Sequence, residues 1–187
     1  MKLFFLSDIH GSISCLDRAL AAFEREEADY LVSLGDLMYH GPRNPLPEDY
    51  NPKEVAARLN SVKDKIVTVR GNCDSEVDQM LVEFPILAEY VILFHEGRRI
   101  FVTHGHHHNM DQLPALTPGD VFIQGHTHVP VAEECSGIYL LNPGSITLPK
   151  ENFPASYGVL EGSLFEVKTL DGSQVLISIR FDGSAAG

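Results

Sequence analysis

The order of apolar segments in this chain predicts an α/β fold, with two sheets packed face to face and helices outside. Three observations carry that reading. The first half alternates strand-length β-branched or aromatic-rich runs with helix-spaced ones. From Tyr90 onward, short strands follow one another across Gly-containing turns, the signature of hairpins. Five strands end directly in stretches of His, Asp and Asn, and open α/β sheets place their sites at the carboxyl ends of strands.

The elements follow in chain order. Leu3 to Leu6 reads as a strand, and Ile13, Leu16, Leu20 and Phe23 then recur at spacings of three and four, the stripe of an amphipathic helix. Ser14 with Asp17 is the expected capping pair at its start. Tyr30 to Leu34 is the second strand, followed by the proline-rich loop 41–50. Asn51, Pro52 and Glu54 mark a helix start, and Val55, Leu59 and Val62 share one face of that helix. Ile66 to Val69 is the third strand. Tyr90 to His95 and Arg99 to Thr103 flank Glu96-Gly97-Arg98 as a hairpin, and Val121 to Ile123 is a short buried run. Strands are expected at Ile138 to Leu141, Ser156 to Leu160, Leu164 to Leu170 and Val175 to Phe181, with turns at Glu161-Gly162 and Asp171-Gly172. One domain over 1–182 accounts for the pattern, and the tail 183–187 is expected to be disordered.

Composition narrows the function. The chain has 187 residues, 44% apolar and 21% charged, which is ordinary for a globular protein. Three widely spaced cysteines give no disulfide framework and fit a reducing, cytoplasmic compartment. The opening apolar run is too short for a signal segment, and no stretch reaches transmembrane length, so no membrane association is expected. A formal charge of −12 argues against a general nucleic-acid surface. It does not exclude a phosphate substrate. Two divalent ions, two carboxylate ligands and a bridging hydroxide would leave the site itself at about +1.

The polar stretches are Ser7-Asp8-Ile9-His10-Gly11, Gly35-Asp36, Gly71-Asn72-Cys73-Asp74, Thr103-His104-Gly105-His106 and Gly125-His126-Thr127-His128. Imidazoles, carboxylates and one amide are donors for borderline divalent metals. Asp8 with His10, His104 with His106, and His126 with His128 are each two apart, and if the chain stays extended the members of a pair leave one face. Seven candidate ligands (Asp8, His10, Asp36, Asn72, His104, His126 and His128) are too many for one ion and suit two. His40, His107 and His108 read as loop residues or substrate contacts, and His95 as a structural histidine.

In this order the motifs resemble the calcineurin-like metallophosphoesterase superfamily, in particular the bacterial YfcE-type phosphodiesterases. Gly71-Asn72-Cys73-Asp74 and Asn142-Pro143-Gly144-Ser145 carry the narrower likeness. The resemblance implies a four-layer α-β-β-α sandwich and two divalent ions, commonly Mn2+. One ion would be held by Asp8, His10, Asp36 and His128, the other by Asp36, Asn72, His104 and His126, with Asp36 bridging. The implied reaction is hydrolysis of a small phosphodiester by a hydroxide held between the ions. Many relatives have His where this chain has Cys73, and an uncharged thiol is a poor proton donor to an alkoxide. Cys73 is therefore either an acid or a small filler. His106 is a candidate phosphate contact or proton relay, and Asp74 a candidate orienter of a neighbouring histidine. A phosphomonoesterase and a non-catalytic scaffold are the rival readings, and pairing of hairpin edges between two copies would make a homo-oligomer.

Overall fold

The computed structural model describes residues 1–182, so the expectation for 183–187 lies outside the described residues. The chain opens with β1 (Lys2–Leu6), α1 (Ile13–Arg25), β2 (Tyr30–Ser33), α2 (Pro52–Asn60) and β3 (Ile66–Thr68). The single-turn α3 (Glu76–Gln79) leads to the hairpin β4 (Tyr90–His95) and β5 (Arg98–Thr103), then to β6 (Val121–Ile123). The strands β7 (Val131–Cys135), β8 (Ile138–Asn142), β9 (Ser156–Glu161), β10 (Leu164–Thr169) and β11 (Val175–Arg180) follow.

One sheet has the order β11-β10-β9-β1-β2-β3 and the other β4-β5-β6-β8-β7. In each, three strands run parallel: β1, β2 and β3 in the first, β5, β6 and β8 in the second. The remaining strands pair antiparallel, as short hairpin links require. Alternation along β1 separates the cores. Leu3 and Phe5 face the layer between the sheets with Val32, Ile100, Val102, Val121 and Phe165. Phe4 and Leu6 face outward, against Leu16, Ala19 and Phe23 of α1 and Val55 and Leu59 of α2.

The outer face of the second sheet presents Phe101, Phe122 and Leu140, and Met110, Leu113 and Leu116 pack on it. This fourth layer is irregular chain because Pro114 and Pro118 interrupt any helix there. The α1 cap also differs from expectation. Ser12 accepts from the Cys15 amide, while the Ser14 amide is bonded to the Asp49 carboxylate and Asp17 pairs with Arg58. Arg98 opens β5 rather than closing the turn, and its buried guanidinium donates to the carbonyls of Gly119 and Asp182 at 2.9 and 2.7 Å. Among the described residues no helix is long and apolar enough to cross a membrane.

Candidate active site

All six parallel strands end on one crevice. Asp8 and His10 follow β1, Asp36 follows β2 and Asn72 follows β3; His104 follows β5, His126 and His128 follow β6, and Asn142 closes β8. The seven predicted donors are thereby brought together. The β1–β2 ladder continues past the strand ends, the amides of Asp8, His10 and Gly11 bonding the carbonyls of Gly35, Asp36 and Leu37.

The local backbone is not extended, contrary to the expectation from spacing. Asp8, His10, Asp36, His126 and His128 all have positive φ, between 49° and 65°. Side-chain-bearing residues enter this left-handed region at a cost, and several together are a feature of functional sites. Tight left-handed turns, not strand alternation, aim these side chains at one another. Two glycines make room for them. A Cβ on Gly71 would lie 2.1 Å from Asp36 Oδ1, and one on Gly125 would lie 1.9 Å from Ser7 Oγ. Space, not φ, requires glycine at both positions.

The histidine tautomers follow from their outer partners. His10, His104 and His128 each donate Nδ1–H to a backbone carbonyl, of Tyr39, Leu34 and Leu148 respectively. A neutral ring so placed turns its Nε2 lone pair inward, as metal-binding histidines do. In one group His10 Nε2 and His128 Nε2 lie 3.6 and 3.2 Å from Asp8 Oδ1. Asp8 Oδ1 and His10 Nε2 are buried without a hydrogen-bond partner. In the other group His104 Nε2 lies 3.0 Å from Asn72 Oδ1 and 3.1 Å from His126 Nδ1. With the Asn72 NH2 turned to Cys73 Sγ, a neutral His104 points a lone pair at a carbonyl lone pair, a contact that a cation relieves. Asp36 Oδ2 stands between the groups, 3.7 Å from His10 Nε2 and 3.5 Å from His104 Nε2. Its Oδ1 accepts from the Cys73 amide at 2.8 Å. This donor set fits divalent ions.

The electrostatics agree. Burial opposes ionisation of Asp8, yet His10 and His128 hold its carboxyl well below the usual range. Burial would likewise depress His10, and Asp8 overrides it, raising the ring above its ordinary value. A field that favours a proton there also favours a metal ion. His126 is lowered by burial and by His104.

Other predicted residues take different places. Asp74 does not orient a histidine. Its carboxylate accepts from the amides of Asp36, Leu37 and Gly71 at 2.8, 2.8 and 2.7 Å, stapling the second and third ligand loops together. Burial and the nearby Asp36 push it up to about 6, against those hydrogen bonds. Burial and Asp36 push the Cys73 thiol above its usual range, so it is uncharged. The thiol lines the cleft and accepts from Asn72 Nδ2 at 3.2 Å. His106 packs its ring 4.0 Å from that of His107, and burial beside His104 lowers it to about 4. His40 contacts the rings of Tyr39 and Tyr50, His107 is exposed, and His108 packs edge-on to Phe101. His95 is structural, bonded to the Gly162 carbonyl at 2.8 Å.

The Asn142-Pro143-Gly144-Ser145 segment supports the donors from behind. Asn142 Nδ2 donates to the Gly125 carbonyl and Thr127 Oγ1, and Ser145 Oγ donates to the Asp8 carbonyl. Sequence reading missed Ser7, whose hydroxyl donates to Asp8 Oδ2 at 2.6 Å; only its adjacency to Asp8 signalled it.

Residues 1–163 match the model of the calcineurin-like phosphoesterase superfamily domain. The chain is 50% identical to the phosphodiesterase YfcE of Escherichia coli K12 over 179 residues, covering 96% of this chain and 97% of that protein. The solved structure of the Escherichia coli phosphoesterase superposes with a TM-score of 0.95 at 48% identity, covering 97% of this chain and 100% of that one. Vacuolar Protein Sorting 29 from Cryptosporidium parvum shares the fold, with a TM-score of 0.64 at 20% identity over 96% of this chain and 97% of its own. Motif order, crevice geometry and these likenesses agree: the chain belongs to the calcineurin-like phosphoesterase superfamily.

Proposed function

We propose that this protein is a dinuclear, metal-dependent phosphodiesterase that acts on small phosphodiesters and uses two divalent ions, manganese foremost. The observation that carries the reading is the placement of Asp36 Oδ2 between two groups of inward-facing donors. Asp8, His10, Asp36 and His128 would hold one ion, and Asp36, Asn72, His104 and His126 the other. Bound ions of this kind lower the pKa of water and neutralise the non-bridging oxygens of the ester.

The chain's own contribution is positioning. Backbone carbonyls lock three imidazoles, and the Cys73 amide locks Asp36. The Cys73 thiol, held uncharged, is a weak acid for a departing alkoxide, which favours diesters with good leaving groups. The 50% identity to a phosphodiesterase supports the substrate class. Three free cysteines support a cytoplasmic location.

The test pairs metal analysis with parallel assays of bis(4-nitrophenyl) phosphate and 4-nitrophenyl phosphate. The reading expects about two ions per chain, a higher kcat/KM for the diester, loss of turnover on chelation and recovery with manganese. Full turnover after verified metal removal, or a preference for the monoester, overturns it.

A further inference from the structure

The cleft over the donors, about 470 Å³ in volume, is lined by more than metal-ligand types. Asp36, Asn72, Cys73, His126 and His128 share it with Arg43 and Asn44 of the proline-rich loop and with Lys150. Among the described residues neither Arg43 nor Lys150 forms an ion pair. Two unpaired cations border a small cleft in a chain of net charge −12.

Both arrive on loops tied to the site. The Lys150 amide bonds the His128 carbonyl at 3.2 Å, and His128 Nδ1 bonds Leu148 in the same loop. On the other loop, Asn44 Nδ2 donates to the His40 carbonyl at 2.8 Å. Asp49 accepts from Ser12 Oγ at 2.9 Å, and the Asn51 amide bonds the Gly11 carbonyl at 2.8 Å. Pro42, Pro45 and Pro47 stiffen the span between these anchors. The backbone that carries the two exposed side chains is anchored on both loops, which lowers part of the ordering cost of binding.

We propose that Arg43 and Lys150 form a subsite for a terminal phosphate on one arm of the substrate, distinct from the phosphodiester that is cleaved. The proposal rests on the reading above and extends it by charge balance. With two divalent ions and a hydroxide bound, the donor site would carry about +1, which matches the single negative charge of a diester. Arg43 and Lys150 add two positive charges, which match a phosphomonoester carrying about −1.5 to −2 at neutral pH. The guanidinium also offers a planar fork suited to phosphate oxygens. The substrate class is therefore a phosphodiester with a phosphorylated arm.

The experiment compares thymidine 5′-(4-nitrophenyl phosphate) with its 3′-phosphorylated form, for the wild type and for Arg43→Gln, Lys150→Gln and the double variant. The readout is the ratio of kcat/KM for the phosphorylated over the unphosphorylated substrate. A wild-type ratio of about 10 or more, carried by KM, is expected, falling about threefold or more in each single variant and to about 1 in the double. Calorimetry with thymidine 3′,5′-bisphosphate should show the same ranking. A wild-type ratio near 1, or a ratio that survives both substitutions because the two substrates weaken together, overturns the subsite. If the wild type cleaves neither substrate nor bis(4-nitrophenyl) phosphate, the phosphodiesterase reading itself fails.

Discussion

Asp36 divides its two oxygens between two tasks: Oδ1 is held by the Cys73 amide while Oδ2 faces both donor groups. Asn at this position would keep one acceptor but present an NH2 group and no charge to the imidazoles. Asp36→Asn is therefore expected to weaken both ions and to lower kcat/KM on an aryl diester by about 100-fold or more, whereas His128→Ala should weaken one ion. Metal analysis of folded variants decides it, and normal turnover with two ions in Asp36→Asn removes the bridging role. Asp74→Asn has a different cause. Three amides converge on its carboxylate, so one amide would face the new NH2 group. A drop of about 10- to 100-fold in metal affinity by calorimetry is expected, as for other residues that orient ligands. Which residues gather at the crevice was legible in their types and in their position after apolar runs. How they gather was not, because the left-handed turns at Asp8, His10, Asp36, His126 and His128 run against the preference of side-chain-bearing residues. The role of Asp74 was equally hidden, since two of its three amide partners, Asp36 and Leu37, come from a distant loop and meet it only on folding.

The end of α1 is fastened to the first sheet by a polar clasp. Glu26 accepts from Tyr157 Oη of β9 at 2.8 Å and from Lys168 Nζ of β10 at 3.0 Å. Burial would raise the Glu26 carboxyl, and the bonds from Tyr157 and Lys168 override it, leaving it below the usual range. A depressed carboxyl contributes stability that is fully present above the unfolded-chain value of about 4.3 and is lost as pH falls through the lower folded value. Glu26→Gln should cost about 1–3 kcal/mol at neutral pH. Urea titrations at descending pH should show the two proteins converging below about pH 4; a gap that stays constant would mean that the Glu26 charge contributes nothing. Elements with strong periodicity, such as α1 and α2, were readable. Strand β7, Val-Ala-Glu-Glu-Cys, was not, because an exposed acidic edge strand carries no apolar alternation. Arg98 was assigned to the turn for a similar reason: its partners Gly119 and Asp182 are far away in the chain.

At the scale of the molecule, the first sheet takes β1–β3 from the start of the chain and β9–β11 from its end, enclosing the segment that builds the second sheet. Two packed sheets were foreseeable from the change in pattern at Tyr90, but this closure was not, because strand order is set by long-range pairing. The crevice lies where both sheets end, and its facing lone pairs favour cations in the folded chain alone. Metal should therefore raise thermal stability by linkage, about 2.7 kcal/mol at a hundredfold excess over Kd. For a chain of this size that is roughly 5–10 °C in Tm. Melting curves of chelated and manganese-loaded protein test this, and identical curves despite measured binding would contradict it. The donors that meet there are widely separated in sequence, Asp8 and His128 above all, with His10, Asp36, Asn72, His104 and His126 between. Ions held by such a set act on the chain as removable cross-links, closing long loops in the way a disulfide does without needing an oxidant. Chelation should then loosen the ligand loops before the sheets, so that protease nicking and amide exchange begin at the turns after β1, β2 and β6.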